Sequence, residues 1–195
     1  MSRRSGIGGD LTAQERGPKR WAREVIDFWF SRDKEDWWKA SDAFDEEIRE
    51  RFAIEWARQS RRTVDDFLDS PEVALAAIIL FDQFPRNMFR GHADQFATDH
   101  LALAIARGAV ERAYDDGMAE AQRGFLYMPF QHSEDSKDQL RSLLLFSALG
   151  DAEMLHYARL HHEVIERFGR FPHRNAILGR KPTAMEQAAG DVVPW

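Results

Sequence analysis

Apolar residues in this chain recur mainly at the spacing of an amphipathic α-helix. The clearest stripe lies between residues 42 and 60, where large apolar side chains return at every fourth position, as they do on the buried face of a helix. No segment shows the sustained alternation of apolar and polar residues that is typical of a half-buried strand. The pattern therefore predicts an all-α protein. The stripe consists of Phe44, Ile48, Phe52 and Trp56.

The segment that follows Ser70 is apolar in a different way. Ser70 and Pro71 are a typical helix start, with serine as the N-cap and proline in the first helical position. The run 73–81 that follows has no polar side chain. Because a helix that is apolar on every side lies in the centre of its domain, we expect the helix over 71–84 to be the most buried one.

Caps and breakers predict where the remaining helices begin and end. We expect one helix over 93–113, a short one over 119–127 that stops before Pro129, and a third that Ser133 or Ser136 caps. The result is about eight helices with short connections, which we interpret as stacked antiparallel helix pairs. Further boundaries are expected at Gly150, Asp151, Gly169 and the capping box of Thr183 and Glu186.

Length and composition are those of one globular domain. The chain has 195 residues, and its 12 glycines and 7 prolines are too few for a turn-rich sandwich or barrel. Residues 1–19 show no periodicity, so we expect a mobile N-terminal tail there. Residues 20–195 are expected to form a single helical domain.

Charge and missing motifs exclude several classes of function. The net charge of -6 lacks the basic footprint of a nucleic-acid-binding protein, and the absence of cysteine excludes disulfides and thiolate metal sites. No Gly-rich phosphate loop, nucleophile elbow or paired-histidine zinc helix is present, and we predict neither a cofactor nor a metal. The first twenty residues lack the apolar segment of a signal peptide. The run 73–81 is far shorter than the roughly 20 residues that span a bilayer. We therefore expect a cytoplasmic protein without a membrane partner.

Three junctions between predicted helices carry unusual polar residues. In the first, Asp82 directly follows the apolar run, and Arg86, Asn87 and Arg90 come soon after it. An unpaired buried charge is costly, so we expect Arg86 or Arg90 to pair with Asp82. The segment is either an ion pair that closes a helix end or part of a ligand site.

The second junction contains His132 beside Ser133, Glu134 and Asp135. A serine cap followed by acidic residues in the first helical turn is ordinary helix chemistry, and it explains the acids but not His132. A metal site of His132, Glu134 and Asp138 has suitable residue types at an unspecific spacing, so we do not predict one.

The third junction alternates basic and amide side chains with Phe, Pro and Gly. Its string Phe-Pro-His-Arg-Asn resembles Phe-Pro-Arg-Asn in the first junction, with proline suited to a helix start in both. Backbone N–H groups at a helix start, with arginine nearby, suit an anion, although the similarity of the two strings is also explained by chance. The residues concerned are Arg170, His173, Arg174, Asn175 and Arg180.

His161 lies on an apolar stripe of its predicted helix, together with Tyr157, Ala158, Val164 and Ile165. We therefore expect it to face the core, where a histidine is commonly a satisfied hydrogen-bonding residue.

At these junctions the chain resembles a bacterial family known as domain of unknown function 924. The resemblance is carried by residues 25–30, 79–91, 125–135 and 168–180, followed by Thr183 and Glu186. It implies a tetratricopeptide-like α-α superhelix and no agreed activity. Gln131 and the C-terminal ending depart from the family's pattern.

Three functions fit these observations. The first is a binding or catalytic site for a small ligand. There the three junctions converge on a carboxylate or phosphate. Its ligand-holding residues would be Arg86, Arg170, Arg174 and Asn175, and either His132 or His173 would transfer a proton with Asp82 or Glu134 orienting it. The second is a helical scaffold that binds a peptide or protein partner through Trp37, Trp38 and Trp195. In the third, the polar motifs act only as structural glue between helix ends.

Overall fold

A computed structural model describes residues 20–190 and 192, and these residues form helices joined by short turns without any β-strand. The all-α prediction is thereby confirmed, whereas the predicted tail 1–19 lies outside the described residues. No helix in the described ranges is both long enough and apolar enough to cross a membrane. Eight helices occur in this part of the chain: α1 (Arg20–Phe30), α2 (Asp42–Gln59), α3 (Pro71–Ile78, continued by a π-helical turn at Ile79–Gln83 and by Phe84–Met88), α4 (Asp99–Glu111), α5 (Glu120–His132), α6 (Ser136–Leu149), α7 (Ala152–Phe168) and α8 (Ala184–Ala189).

Helix α3 is the centre of the fold, as its apolar sequence predicts. It packs against α1, α2, α4 and α5, and every residue from 73 to 81 is at most 3% exposed. Ser70 caps it by accepting a hydrogen bond from the Val73 N–H. The burial of this segment is what brings its polar C-terminal part into the interior.

Aromatic rings fill the space between α1, α2 and α3. The ring centroid of Phe84 lies 4.6 Å from that of Phe52, 5.7 Å from that of Trp29 and 5.9 Å from that of Phe28. Such edge-to-face and tilted contacts add to the burial of apolar area. This cluster fixes the end of α3 that carries the polar residues.

Helices α5, α6 and α7 pack against one another in chain order. The predicted boundaries between the last two are confirmed, because Gly150 ends α6 in the left-handed conformation and Asp151 caps α7. Gly169 ends α7, and the capping box of Thr183 and Glu186 opens α8 as predicted.

Two predicted boundaries are wrong. Helix α5 does not stop before Pro129 but continues to His132, although proline lacks a backbone donor; every residue from 124 to 131 is buried by packing. The helix predicted over 93–113 is divided into a 3₁₀ turn at Ala93–Phe96 and α4. At the break, the Thr98 hydroxyl donates to the Phe81 carbonyl and ties the chain to α3.

The predicted serine cap of α6 is also wrong. Asp135 is the N-cap and accepts from the Lys137 N–H. Ser133 instead donates to the Asp138 carboxylate. The Gln139 amide donates to the carbonyls of Gln131 and Ser133. These bonds tie the end of α5 to the start of α6.

Replacing Phe84 by alanine tests the role of the aromatic cluster. We expect F84A to lower the free energy of unfolding by about 3–5 kcal/mol, because it leaves a cavity among three rings. The control I54A removes a side chain that is 84% exposed and should change stability by no more than about 0.5 kcal/mol. Urea unfolding followed by circular dichroism measures both, and equal losses would contradict the assigned role.

Candidate functional site

Asp82 is the centre of the polar cluster. It lies in the π-helical turn of α3, where the backbone departs from α-helical hydrogen bonding, a feature often found at functional sites. Its carboxylate is completely buried. One oxygen, Oδ1, lies 2.8 Å from His132 Nδ1 and 3.4 Å from Arg86 Nη1, and the Gln83 amide donates to Oδ2 at 2.5 Å.

Burial alone would raise the pKa of Asp82, but Arg86 and His132 lower it below the ordinary value. Arg86 is itself held in place, because its two terminal nitrogens donate to the two carboxylate oxygens of Asp99 at 2.9 and 3.0 Å. It also donates to the Asp82 carbonyl. Asp82 therefore stays ionised at neutral pH beside a fixed guanidinium group.

His132 is the last residue of α5, and it reaches Asp82 because the helix continues through Pro129. Burial lowers the pKa of His132, Asp82 opposes that shift and Arg86 adds to it, so the imidazole is neutral at pH 7. Since an ionised carboxylate only accepts hydrogen bonds, the Nδ1–H must donate to Asp82. The other nitrogen, Nε2, is then left as a proton acceptor, as in a histidine that serves as a general base.

A second imidazole lies beside the first. His161 is 7% exposed, which confirms that it faces the core, and its ring centroid is 6.0 Å from that of His132. Burial lowers its pKa to about 2. The neutral ring directs Nδ1 to the Tyr157 carbonyl at 2.8 Å, and a carbonyl requires that nitrogen to be the donor.

His132, His161 and Arg86 line a cavity of about 480 Å³. The first junction contributes Asn87 and Arg90 as well, and amides of Gln83 and Gln131 add polar groups. The apolar part of the lining comes from Trp37, Trp38, Met128, Phe146, Met154 and Tyr157. The lining thus combines apolar side chains with several convergent polar groups, a combination found at small-molecule sites.

Four cationic and two acidic side chains lie among the described residues that line this cavity. Arg86 pairs with Asp99, and Arg90 pairs with Asp45 at 2.6 Å. The acids are Asp151, which caps α7, and Glu153. The remaining cations are Lys34 and Lys39, which are exposed and for which the described residues provide no ion pair.

The third junction forms a separate cluster, and none of its residues lines the cavity in the described structure. Arg170 donates to both oxygens of Glu186, and Arg180 donates to both oxygens of Glu134. Asn175 connects the two pairs, since it donates to Glu186 and accepts from Arg180. The structure therefore does not bring all three junctions to one site.

His173 belongs to this third cluster and is half-buried. Burial and the neighbouring Arg174 lower the pKa of His173 to about 4, so it is neutral at pH 7. Its ring packs near Phe171, with centroids 5.6 Å apart. Of the two proton-transfer candidates, only His132 reaches the cavity.

Arg174 connects the two clusters. Its side chain is 10% exposed, and Nη1 lies 3.6 Å from Asp99 Oδ2. Nη2 donates to the His132 carbonyl at 3.1 Å. The guanidinium lies 4.5 Å from the ring centroids of both Phe96 and Phe171. Arg174 thus holds the backbone carbonyl of His132 and does not itself line the cavity.

Two rationales from sequence fail here. Glu134 does not orient His132, because it binds Arg180 and accepts from the Phe171 N–H; Asp82 takes that position. Pro85 does not begin a helix with open N–H groups, since it lies inside the continuous path of α3. Among the described residues no group of three or more His, Asp or Glu side chains could hold a metal ion.

Several partners of the site residues have no clear signal in the sequence. Asp99 resembles an ordinary acid in a first helical turn, yet it binds Arg86 and Arg174. Asp45 resembles a solvent-facing helix residue but holds both Arg90 and Asn87. Trp38 and Lys39 line another side of the cavity, and the sequence indicates that side only by placing the two residues next to each other.

The described chain is thus an all-α protein in which a buried Asp82–His132 pair lies beside a cavity. A model of a bacterial protein family of unknown function, DUF924, matches residues 25–189. The chain belongs to this family, as the motifs indicated.

A solved structure of a protein of unknown function, ATU0120 from Agrobacterium tumefaciens, is similar to this chain. The two are 41% identical with a TM-score of 0.81, over 86% of this chain and 95% of the other. No curated protein matches.

Replacing Arg174 by alanine tests whether the connection between the clusters is structural. We expect R174A to lower the free energy of unfolding by about 3 kcal/mol, because it removes a buried cation from between two rings and two polar partners. R141A, which changes an exposed arginine of α6, is the control and should have little effect. Thermal or urea unfolding gives both values, and a loss in R174A no larger than in R141A would contradict this role.

Proposed function

We propose that this protein binds a small anionic molecule, a carboxylate or a phosphate, in the cavity beside Asp82 and His132, and that His132 exchanges a proton with it. The observation that carries the proposal is the neutral His132, held by the buried Asp82 at 2.8 Å and lining the cavity. If the Asp82–His132 pair served only the stability of the fold, its imidazole would not need to line the cavity.

The charges at the cavity favour an anion. Lys34 and Lys39 line the cavity and form no ion pair among the described residues, whereas the Arg86 guanidinium is already paired with Asp99 and Asp82. A lysine ammonium group binds a carboxylate or phosphate as a point charge. Asp151, which caps α7, and Glu153 are the two acids at the cavity that oppose binding.

The geometry also suits proton transfer. With Nδ1–H bonded to Asp82, Nε2 can accept a proton from the bound molecule or from water, and Asp82 then stabilises the imidazolium that forms. Arg86, by lowering the pKa of Asp82, prevents the proton from passing on to the carboxylate. The reaction this supports is general acid–base chemistry on the ligand.

The alternative of a peptide scaffold depended on exposed tryptophans. Trp37 is not free for a partner, because its Nε1 donates to the Trp29 carbonyl and its ring packs on Phe125. Trp38 is 55% exposed, and Trp195 lies outside the described residues. One exposed ring at a cavity fits a small ligand better than an extended peptide. Structural glue remains our proposal for the third junction alone.

Anion binding can be tested with inorganic phosphate by isothermal titration calorimetry. We expect K34A/K39A to weaken phosphate binding about three- to tenfold, because it removes two charges at the cavity. K137A/K181A is the matched control, since it removes two exposed lysines elsewhere and the same net charge. Equal weakening in both double variants, or no binding by the unaltered protein, would refute the proposal.

Proton exchange predicts uptake of a proton on binding. An anion near Nε2 raises the pKa of His132, so at about pH 6 the measured binding heat should change with the ionisation enthalpy of the buffer. H132Q, which keeps a donor for Asp82, should remove most of this dependence. H156Q, at an exposed histidine of α7, should retain it. If H132Q and the unaltered protein take up the same number of protons, His132 is not the group concerned.

A further inference from the structure

Trp38 is the least protected large ring near the cavity. It is 55% exposed, although leaving an indole in water forgoes a large burial of apolar area. Its ring lies nearly parallel to that of the buried Phe125, with centroids 6.0 Å apart and an interplanar angle of 12°. One side of the indole is thus supported by the core while much of the ring stays open beside the cavity it lines.

The neighbouring residue keeps this platform in position. Trp37 donates from Nε1 to the Trp29 carbonyl at 2.9 Å, and its ring meets Phe125 edge-on with centroids 4.9 Å apart. The backbone N–H of Trp38 donates to the Glu35 carbonyl at 3.2 Å. An exposed ring that is fixed in this way is preorganised to receive a flat partner.

The remaining apolar lining suits the same partner. Met128 and Met154 border the cavity with Trp38, and thioethers make favourable contacts with aromatic ring edges. Lys39 follows Trp38 directly in the chain, and both line the cavity together with Lys34. A cation and an open ring are therefore available within the reach of one small molecule.

We propose that the ligand is an aromatic acid: a flat ring that lies on Trp38 and carries a carboxylate or phosphate group recognised by Lys34 and Lys39. This inference rests on the proposed anion binding and narrows its ligand class. A saturated ring would cover the indole less closely, because it is not flat, and would lose the contact between π-faces.

Matched pairs of acids test this class. The probes are phenyl phosphate against inorganic phosphate, and benzoate against cyclohexanecarboxylate, whose ring is similar in size but not flat. We expect the aromatic member of each pair to bind at least about tenfold more tightly, the effect of one stacking contact. Calorimetric titration gives the four dissociation constants.

Variants then assign the preference to Trp38. W38A should reduce the affinity for phenyl phosphate to near that for inorganic phosphate, and W38F should retain much of the preference. L144A, which shortens an exposed side chain of α6 that does not line the cavity, should leave the preference intact. Circular dichroism and the melting temperature check that each variant is folded.

The outcomes separate the two proposals. If phosphate binds through Lys34 and Lys39 but aromatic and aliphatic acids bind equally, or if W38A keeps the preference, the inference is overturned and the proposed anion site stands. If none of the four probes binds, both proposals fall.

Discussion

The buried carboxylate of Asp82 is the constraint on which the polar half of this structure depends. An ionised group without solvent requires partners, and α3 is so apolar that it offers only Gln83 beside the carboxylate and Arg86 one turn further on. The other partners must come from distant helices. His132, at the end of α5, contacts the Asp82 carboxylate, and the Asp99 carboxylate of α4 pairs with the Arg86 guanidinium. Partners for this one carboxylate thus bring the end of α5 and the start of α4 to α3 and leave an imidazole at a cavity.

The two charged clusters, one around Asp82 and one around Glu186 and Glu134, have different roles. Around Asp82, the charges are arranged so that one neutral imidazole faces open space with an acceptor nitrogen. Around Glu186 and Glu134, the arginines pair with acids of the same region and do not line the cavity beside His132. Arg174 contacts both clusters, since it bonds the carbonyl of His132 and lies between two rings. The same residue type therefore serves a candidate site in one cluster and the stability of helix ends in the other.

Features set by neighbouring residues in the chain could be predicted from sequence, and features set by distant contacts could not. The caps at Ser70, Asp151 and Thr183 are local, and so is the burial of 73–81. Pro129 was misinterpreted because its local preference is overridden by packing, and that error hid the position of His132 at the end of α5. The pairing of Arg90 with Asp45 crosses 45 positions, and no local pattern indicates it. Equally, the approach of Trp38 and Lys39 to α5 and α7 depends on the folded chain.

The central claim is that an ionised Asp82 fixes a neutral His132 with the proton on Nδ1. The most direct test is ¹⁵N–¹H NMR correlation of the imidazole nitrogens at about pH 7, the region in which an unperturbed histidine is near its titration. We expect a protonated Nδ1 and an unprotonated Nε2 for His132, and a change of tautomer or charge state in D82N. An imidazolium, a proton on Nε2, or a His132 signal that is the same in D82N would contradict it.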